Sequence, residues 1–282
     1  MRGAQVKLIY ICLLAFSPLA PTTADAFIPS SLAIFTRLAR GGGKGAYSIE
    51  QEVQFRTEAD PIVLRERWIV ENGDVMRLSV SGLKGSQDNW RFDALYRDGK
   101  RTWTEGSQAR SAPQSVEFIE PLLHFRSGAS LLGWLARLRI VPPGLGQVRR
   151  FNRKTAPYVA EPGVRLARSG GVVTWAFGEP SPPTGALLPG LWIDQDAFQF
   201  RRLRFPSQAE VQADRHASFA GGLRLPRERT VTWDNNSVTI RVLTVKSLPE
   251  GAAAESLLAA PSGTAGRLPD AAQVREFYSR FR

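Results

Sequence analysis

Along most of this chain, apolar and polar residues alternate with a period of two, and short turn signals separate the alternating stretches. Between residues 47 and 55 the odd positions are apolar except for Gln51, and the even positions are polar. Successive side chains of a β-strand point to opposite faces, so this pattern is typical of a strand with one buried face. The turn signals favour hairpins, the first of them a type I′ turn with two residues at positive φ. They are Asn72-Gly73, Asp98-Gly99 and Asp234-Asn235-Asn236. The sequence therefore predicts long antiparallel strands connected as a meander.

Segments with helical spacing interrupt this meander. One helix is predicted after Ser30 or Ser31 and ends before the glycines at 41–43. Two more are predicted at 114–125 and 130–140, and their apolar content favours packing on the sheet. A Pro/Gly-rich loop is predicted at 178–190, and a further strand at 147–151.

The first 26 residues have the three parts of a secretory signal peptide. Two basic residues precede the apolar run at 8–16, and Ala24-Asp25-Ala26 forms a small-x-small cleavage site. The apolar run is shorter than the about 20 residues that a membrane-spanning helix needs. We therefore predict cleavage after Ala26 and a periplasmic protein. Cleavage removes the single cysteine, Cys12, and lowers the net charge from +11 to +10.

The remaining chain divides into three predicted parts. Residues 27–247 form the β domain with its central helices, and residues 248–269 are rich in Ala, Gly, Pro and Ser, which is typical of a flexible linker. Residues 270–282 form an amphipathic helix with apolar side chains at i, i+3, i+4 and i+7. This helix either docks on the β domain or binds a partner.

The basic excess consists mostly of arginines scattered along the strands. Short pairs such as Arg149-Arg150 and Arg201-Arg202 do not form a nucleic-acid-binding arm, so no nucleic-acid partner is expected. Anionic lipid head groups at a membrane surface or envelope glycans suit an exported basic protein, although a composition bias toward arginine explains the same excess. We expect a monomer.

Few residues of the sequence suggest catalysis. His124 and His216 are far apart and have no neighbouring ligand pattern, so neither a metal site nor a cofactor is predicted. The carboxylate pairs Glu50/Glu52 and Asp194/Asp196 alternate onto one strand face, as two catalytic carboxylates of a glycan hydrolase would. A solvated polar face opposite the apolar one explains Glu50 and Glu52 completely, so the hydrolase is the less favoured interpretation. The leading interpretation is a protein that is not an enzyme.

Large apolar side chains recur at strand positions that the alternation assigns to the apolar face. On a curved sheet such a face encloses an acyl chain, and on a solid sheet it packs as an ordinary core. The sequence leaves both interpretations open. The predicted ligand-binding residues are Trp68, Met76, Leu78, Trp90, Phe92, Tyr96, Trp175, Phe177 and Trp192.

Two stretches resemble a known family. The text Leu-Trp-Ile-Asp-Gln-Asp at 191–196 with Phe-Arg-Arg-Leu at 200–203 is similar to a strand pair of the periplasmic lipoprotein-carrier superfamily, the LolA/LolB-type carriers and related regulators. Arg-Glu-Arg-Trp-Ile-Val at 65–70 is similar to its early hairpin. The family has Thr where this chain has Ala197.

The resemblance implies a mainly β (α+β) fold: one strongly curved antiparallel sheet, an unclosed barrel with helices on its concave side. It also implies a non-enzymatic envelope protein that binds lipid, acyl chains or lipoprotein. The alternatives are an interaction or scaffold module with a solid core and, third, an envelope glycan hydrolase.

Overall fold

A computed structural model describes residues 29–57, 60–83, 90–105, 108–145, 163–249, 251–258 and 268–282. The predicted signal peptide and the predicted strand at 147–151 lie outside these residues. The described residues form five α-helices and thirteen β-strands. The helices are α1 (Ser31–Ala39), α2 (Pro121–His124), α3 (Gly128–Arg137), α4 (Ala252–Leu258) and α5 (Ala272–Arg280).

The strands lie in two groups along the chain, separated by α2 and α3. The first group is β1 (Tyr47–Phe55), β2 (Ile62–Val70), β3 (Met76–Gly82), β4 (Arg91–Arg97), β5 (Lys100–Glu105) and β6 (Gln108–Pro113). The second group is β7 (Val164–Ser169), β8 (Val172–Phe177), β9 (Gly190–Asp194), β10 (Phe200–Arg204), β11 (Glu210–Ser218), β12 (Arg224–Trp233) and β13 (Asn236–Ser247).

All thirteen strands belong to one antiparallel sheet with the order β6-β5-β4-β3-β2-β1-β13-β12-β11-β10-β9-β8-β7. Each group is a meander, and the two meanders join where β1 pairs with β13, Tyr47 opposite Ser247 and Phe55 opposite Val238. The outer strands β6 and β7 stand at opposite ends of this order, so the sheet is open. The prediction of a mainly β, unclosed antiparallel sheet is confirmed.

The sheet curves around α5. Tyr278 accepts a hydrogen bond from Arg101 of β5 through its backbone oxygen at 2.6 Å, and Phe281 contacts Phe205, which follows β10, with ring centroids 6.3 Å apart. In a flat sheet the eight strand spacings between β5 and β10 would extend about 38 Å. A nine-residue helix is only about 14 Å long, so both contacts require the strands to wrap around it.

The two faces of the sheet carry different helices. Side chains of α1, α3 and α5 belong to the buried core on the inner face, where Phe35 of α1 lies 4.3 Å from Phe177 between ring centroids. Helix α4 contacts β2 and β3, and the backbone oxygen of its Leu257 accepts a hydrogen bond from Arg97 at 3.2 Å. Arg97 alternates with the inward-facing Tyr96, so α4 covers the outer face.

One hairpin differs from its predicted geometry. The connection between β2 and β3 spans five residues, and Asn72 Oδ1 accepts hydrogen bonds from the amides of Asp74 and Val75 at 2.8 and 3.0 Å. The prediction of a two-residue type I′ turn at Asn72-Gly73 is therefore wrong. The longer loop brings Gly73 against Phe125, where an added Cβ would lie 3.2 Å from the ring. Asp98 and Gly99 do have positive φ, at 52° and 71°.

Two predicted helices and the predicted linker differ in extent or content from the observed elements. The helix predicted at 114–125 is α-helical only over Pro121–His124, because Pro121 has no amide hydrogen with which to continue a helix from upstream. The helix predicted at 130–140 is confirmed as α3, with its ends two or three residues earlier. The segment 248–269, predicted as a flexible linker, contains α4, whose Ala253 and Leu257 are buried.

Candidate ligand-binding site

The structure brings eight of the nine predicted ligand-binding residues to the inner face of the sheet. Six of these eight are buried, with 5% exposure or less, and Trp90 and Phe92 are partly buried against the same core. Trp192 points to the outer face, because its neighbours Leu191 and Ile193 occupy the inner one. The eight inward residues are Trp68, Met76, Leu78, Trp90, Phe92, Tyr96, Trp175 and Phe177.

Helix α5 covers the middle of this inner face with aromatic side chains. Phe277 meets Phe55 edge-on with ring centroids 5.3 Å apart, and Tyr278 lies 6.0 Å from Phe92. Phe281 meets Trp233 at 5.3 Å. In the described part of the chain the apolar face is therefore a packed core, with α5 in the place where the sequence allowed an acyl chain.

A second layer of aromatic contacts covers the β2–β4 region. Phe118, in the segment before α2, stacks on Tyr96 with ring centroids 4.4 Å apart and an interplanar angle of 12°. The same ring lies 6.1 Å from Trp68. Three cavities of the described part of the chain are lined by other residues, and none of the eight inward residues belongs to these three linings.

Charged and amide side chains form a buried cluster beneath α5. Arg282 Nε donates to both carboxylate oxygens of Glu66, at 3.0 and 3.2 Å. Arg229 donates to Glu120 at 2.7 Å. Gln51 joins the two pairs: its Nε2 donates to Glu66 at 2.6 Å and its Oε1 accepts from Arg229 at 2.5 Å. The cluster ties β1, β2, β12, the start of α2 and the end of α5 together.

The cluster is electrically balanced, with two carboxylates and two guanidinium groups. Burial opposes ionisation of Glu120, but Arg229 and Arg282 outweigh it and lower the pKa of Glu120 to about 2. Removing one partner of such a pair leaves an uncompensated buried charge, which costs about 3–5 kcal/mol. Arg282 is the member contributed by the α5 segment, so the balance depends on α5 being docked.

His124 is buried next to this cluster and is neutral. Burial lowers its pKa to about 4, although the Glu120 carboxylate acts in the opposite direction. Tyr47 Oη donates to the backbone oxygen of Gly42 at 3.0 Å and lies 3.0 Å from His124 Nδ1. Because a hydroxyl has one hydrogen and Gly42 can only accept, we assign the proton of the imidazole to Nδ1, which donates to Tyr47.

An apolar cleft lies outside the core, between the end of α3 and the loop that joins β8 to β9. Its volume is about 670 Å³, within the range of about 300–1,000 Å³ typical of small-molecule sites. The charged residues Arg137, Arg139 and Glu179 also line it, and neither arginine forms an ion pair with another described residue. Its apolar lining is Ile140, Val141, Pro142, Pro143, Leu188 and Pro189.

Arg139 occupies an unfavourable backbone conformation at this cleft. Its φ is +55°, in the left-handed region where glycine is normal at a helix end. The Arg139 amide donates to Ala136 and the Ile140 amide to Leu135, both at 3.0 Å, which is the Schellman pattern that ends α3. An arginine here costs stability relative to glycine, and its side chain lines the cleft.

On the outer face Trp192 lies between two arginines. The guanidinium carbons of Arg202 and Arg204 are 4.9 and 5.4 Å from the indole ring, and both side chains pair with Glu210. Gly190 leaves the space that this indole fills, since an added Cβ would lie 2.9 Å from it. Trp192 is thus part of an Arg-Trp-Glu layer rather than of the inner face.

The predicted carboxylate pairs do not meet in the cleft. Glu50 and Glu52 alternate with inward-facing Ile49 and Val53 and lie on the outer face. Asp194 accepts from the amides of Asp196 and Ala197 in the turn after β9 and pairs with Arg201 at 2.8 Å.

The described residues contain no group of three or more His, Cys, Asp or Glu arranged to hold a metal ion. None of the described helices is long and apolar enough to cross a membrane.

Sequence reasoning missed the buried cluster and the cleft. The signal for the cluster was present, because Gln51, Glu66 and Arg229 stand at positions that the alternation assigns to the apolar face. A charge at such a position requires a buried partner. The cleft left no signal, since its two walls are about 40 residues apart in the chain.

Fold and site together define an open antiparallel half-barrel with a helix-filled interior and a separate apolar cleft. No family model matches the chain. No curated protein matches it either.

The chain is similar to several solved structures. A LolA superfamily protein, NE2245 from Nitrosomonas europaea, is 8% identical over 79% of this chain and 96% of its own, with a TM-score of 0.49. A putative outer membrane lipoprotein-sorting protein domain from Vibrio parahaemolyticus is 11% identical over 80% and 97%, with a TM-score of 0.47. A DUF1329 family protein from Desulfovibrio piger is 8% identical over 81% and 100%, with a TM-score of 0.48. Because these identities and TM-scores are low, a ligand has to be inferred from this chain's own residues.

Proposed function

We propose that this chain is a non-enzymatic binding protein of the periplasm that holds an acyl chain of a lipid or lipoprotein in the cleft beside α3. The apolar walls of the cleft receive the chain, and Arg137 and Arg139 contact an anionic head group at its mouth. Export through the signal at 1–26 places the protein where such ligands occur. N-terminal sequencing of the mature protein tests the cleavage after Ala26.

The observation that carries this proposal is Arg139. Arg139, which has no ion pair with any described residue, lines an apolar cleft in a backbone conformation that glycine would adopt at lower cost. Strain of this kind at a cleft is the pattern expected of a functional residue. Charge next to apolar surface matches an anionic amphiphile.

The test is lipid extraction followed by mass spectrometry of the purified protein, together with titration of a fluorescent fatty acid. Leu188 lines the cleft, whereas its neighbour Leu187 is 45% exposed and does not. Leu188→Glu should weaken fatty-acid binding at least tenfold, because it places a charge among apolar walls. Leu187→Glu is the matched control and should bind as the parent chain does.

Equal affinity of both variants would remove the cleft from the binding site. Absence of any acyl ligand from the purified protein, together with no uptake of the fluorescent fatty acid, would overturn the proposal as a whole.

A second candidate function is an envelope interaction module with a solid core. The packing of α5 against Phe55, Phe92 and Trp233 favours it. Deleting α5 would empty the core, so Arg275→Glu on its exposed side discriminates between the two candidates: a lost protein partner with fatty-acid uptake retained supports the interaction module.

A further inference from the structure

The interior of the half-barrel holds α5 through charge as well as through apolar surface. Helix α5 presents Phe277, Tyr278 and Phe281 to the aromatic inner face, and Arg282 to the carboxylate of Glu66. The Arg282 guanidinium also lies over the rings of Phe277 and Trp68, at 4.8 and 5.7 Å from their centroids. The occupant thus combines aromatic side chains with one cation.

Withdrawal of α5 would leave this site with an unbalanced charge. Glu66 and Glu120 would remain with Arg229 alone, so the vacated interior would carry one excess carboxylate between aromatic walls. A neutral or anionic acyl ligand leaves Glu66 buried without a cation, with only the neutral donors Gln51 Nε2 and Trp68 Nε1 at 2.6 and 3.1 Å, which is unfavourable. An occupant with a guanidinium restores the balance.

Helix α5 also fits the interior imperfectly. Among the described residues, Arg282 Nη2 and Tyr96 Oη are buried and have no hydrogen-bond partner. The N-cap residue of α5 is Ala271, which offers no side-chain cap, and a helix of nine residues is too short to be stable away from the sheet. Each of these features lowers the free energy that docking of α5 contributes.

From these observations we infer that the interior groove is a docking site for an aromatic–arginine helical segment of a partner protein, and that α5 occupies this site within the chain itself. The partner segment carries aromatic residues at i, i+1 and i+4 followed directly by arginine. It replaces α5 contact for contact. The inference does not depend on ligand binding in the cleft.

The experiment uses the full-length chain with the substitution Arg282→Gln, which weakens α5 without shortening the chain. A synthetic peptide of residues 268–282 is added, and the thermal midpoint is followed. Binding to the folded state raises this midpoint with peptide concentration. We expect a rise of several degrees at millimolar peptide, and fluorescence anisotropy of the labelled peptide should saturate over the same range.

The matched control is the same peptide with Arg282→Gln. We expect it to bind at least tenfold more weakly, and the peptide with Arg282→Lys to bind between the two. Should the Arg282→Gln chain fail to fold, the Arg282→Lys chain replaces it, since that variant keeps the charge opposite Glu66.

Three outcomes would overturn the inference. Equal affinity of the peptides with Arg282 and with Arg282→Gln would rule out recognition by charge. If neither peptide binds to a folded chain, the groove is not a docking site. A dimer of the Arg282→Gln chain that forms without peptide would assign the groove to a second copy of this chain.

Discussion

Arg139 illustrates how one residue sets stability against binding. At φ +55° an arginine is strained, and glycine at the same position relieves this strain. We expect Arg139→Gly to raise the free energy of unfolding by about 1 kcal/mol. The same substitution removes a charge from the mouth of the cleft and should weaken binding of a fluorescent fatty acid several-fold. Chemical denaturation and the fatty-acid titration measure the two effects separately.

Arg139→Lys is the control for this pair of effects. Lysine keeps both the charge and the strain, so stability and fatty-acid affinity should stay close to those of the parent chain. Loss of stability in Arg139→Gly would contradict the backbone strain at this position. Unchanged fatty-acid affinity would show that Arg139 has no role at the cleft.

His124 makes stability depend on pH. The folded protein keeps this imidazole neutral down to about pH 4, whereas an unfolded chain protonates it near the ordinary pKa of 6.5. Between these values the unfolded state binds more protons, so the free energy of unfolding falls as pH is lowered from 6.5 to 4. The loss attributable to His124 reaches about 3 kcal/mol at the acidic end. Urea denaturation at a series of pH values measures it.

His124→Asn should flatten this pH dependence. Asparagine places an amide donor near the position of Nδ1, so Tyr47 keeps its partner while the titrating group is gone. The pKa of His216 is also lowered to about 4, by burial, and it contributes in the same window. His216→Gln removes this second contribution, so comparing the two variants separates the effect of His124 from that of His216. An unchanged slope in His124→Asn would mean that the His124 imidazole is not buried as a neutral group.

At the scale of elements, α4 and α5 differ in how they are held. Among the α4 side chains whose burial the structure describes, Ala253 and Leu257 are buried on the outer face, whereas α5 inserts into the core and the charged cluster. We expect Leu257→Ser to detach α4 locally: amide exchange of 252–258 should rise while that of α5 stays unchanged. Hydrogen–deuterium exchange with mass spectrometry resolves the two segments.

Ala254→Ser is the matched control for α4, because Ala254 lies on the exposed side of the same helix. Faster exchange in α5 of the Leu257→Ser variant would contradict the independence of the two helices.

Strand alternation predicted the inner face correctly where one face is polar. In β2, Leu64, Trp68 and Val70 are buried, whereas Arg65 and Arg67 on the other face are exposed. In β9 all five residues are buried, so the period of two carries no information there, and Trp192 was assigned to the wrong face.

The interior could be predicted only in part. The spacing of Val274, Phe277, Tyr278 and Phe281 predicted a helix with one apolar face, but no local pattern names the surface on which such a helix docks. The pairing of Glu66 with Arg282 spans 216 positions. A pattern that is local in sequence therefore indicates that Glu66 needs a partner without indicating which one.

At the scale of the whole molecule, both backbone and side chains join the two meanders. Pairing of β1 with β13 joins them through the backbone, and α5 joins them through side chains. Phe277 contacts Phe55 in the first meander and Trp233 in the second, with ring centroids 5.3 and 6.0 Å apart. Phe118, which is equally buried, has ring contacts with Trp68 and Tyr96, both in the first meander.

These contacts predict different consequences for two otherwise similar substitutions. Phe277→Ala and Phe118→Ala should each lower the free energy of unfolding by about 3–5 kcal/mol, because each empties a buried aromatic site. Only Phe277→Ala should also reduce cooperativity, since it removes a side chain that both meanders share. Amide exchange of β3–β5 and of β9–β11 in increasing urea measures this: the two regions should open together in Phe118→Ala and at separate concentrations in Phe277→Ala. Joint opening in both variants would mean that the β1–β13 pairing alone makes the sheet one cooperative unit.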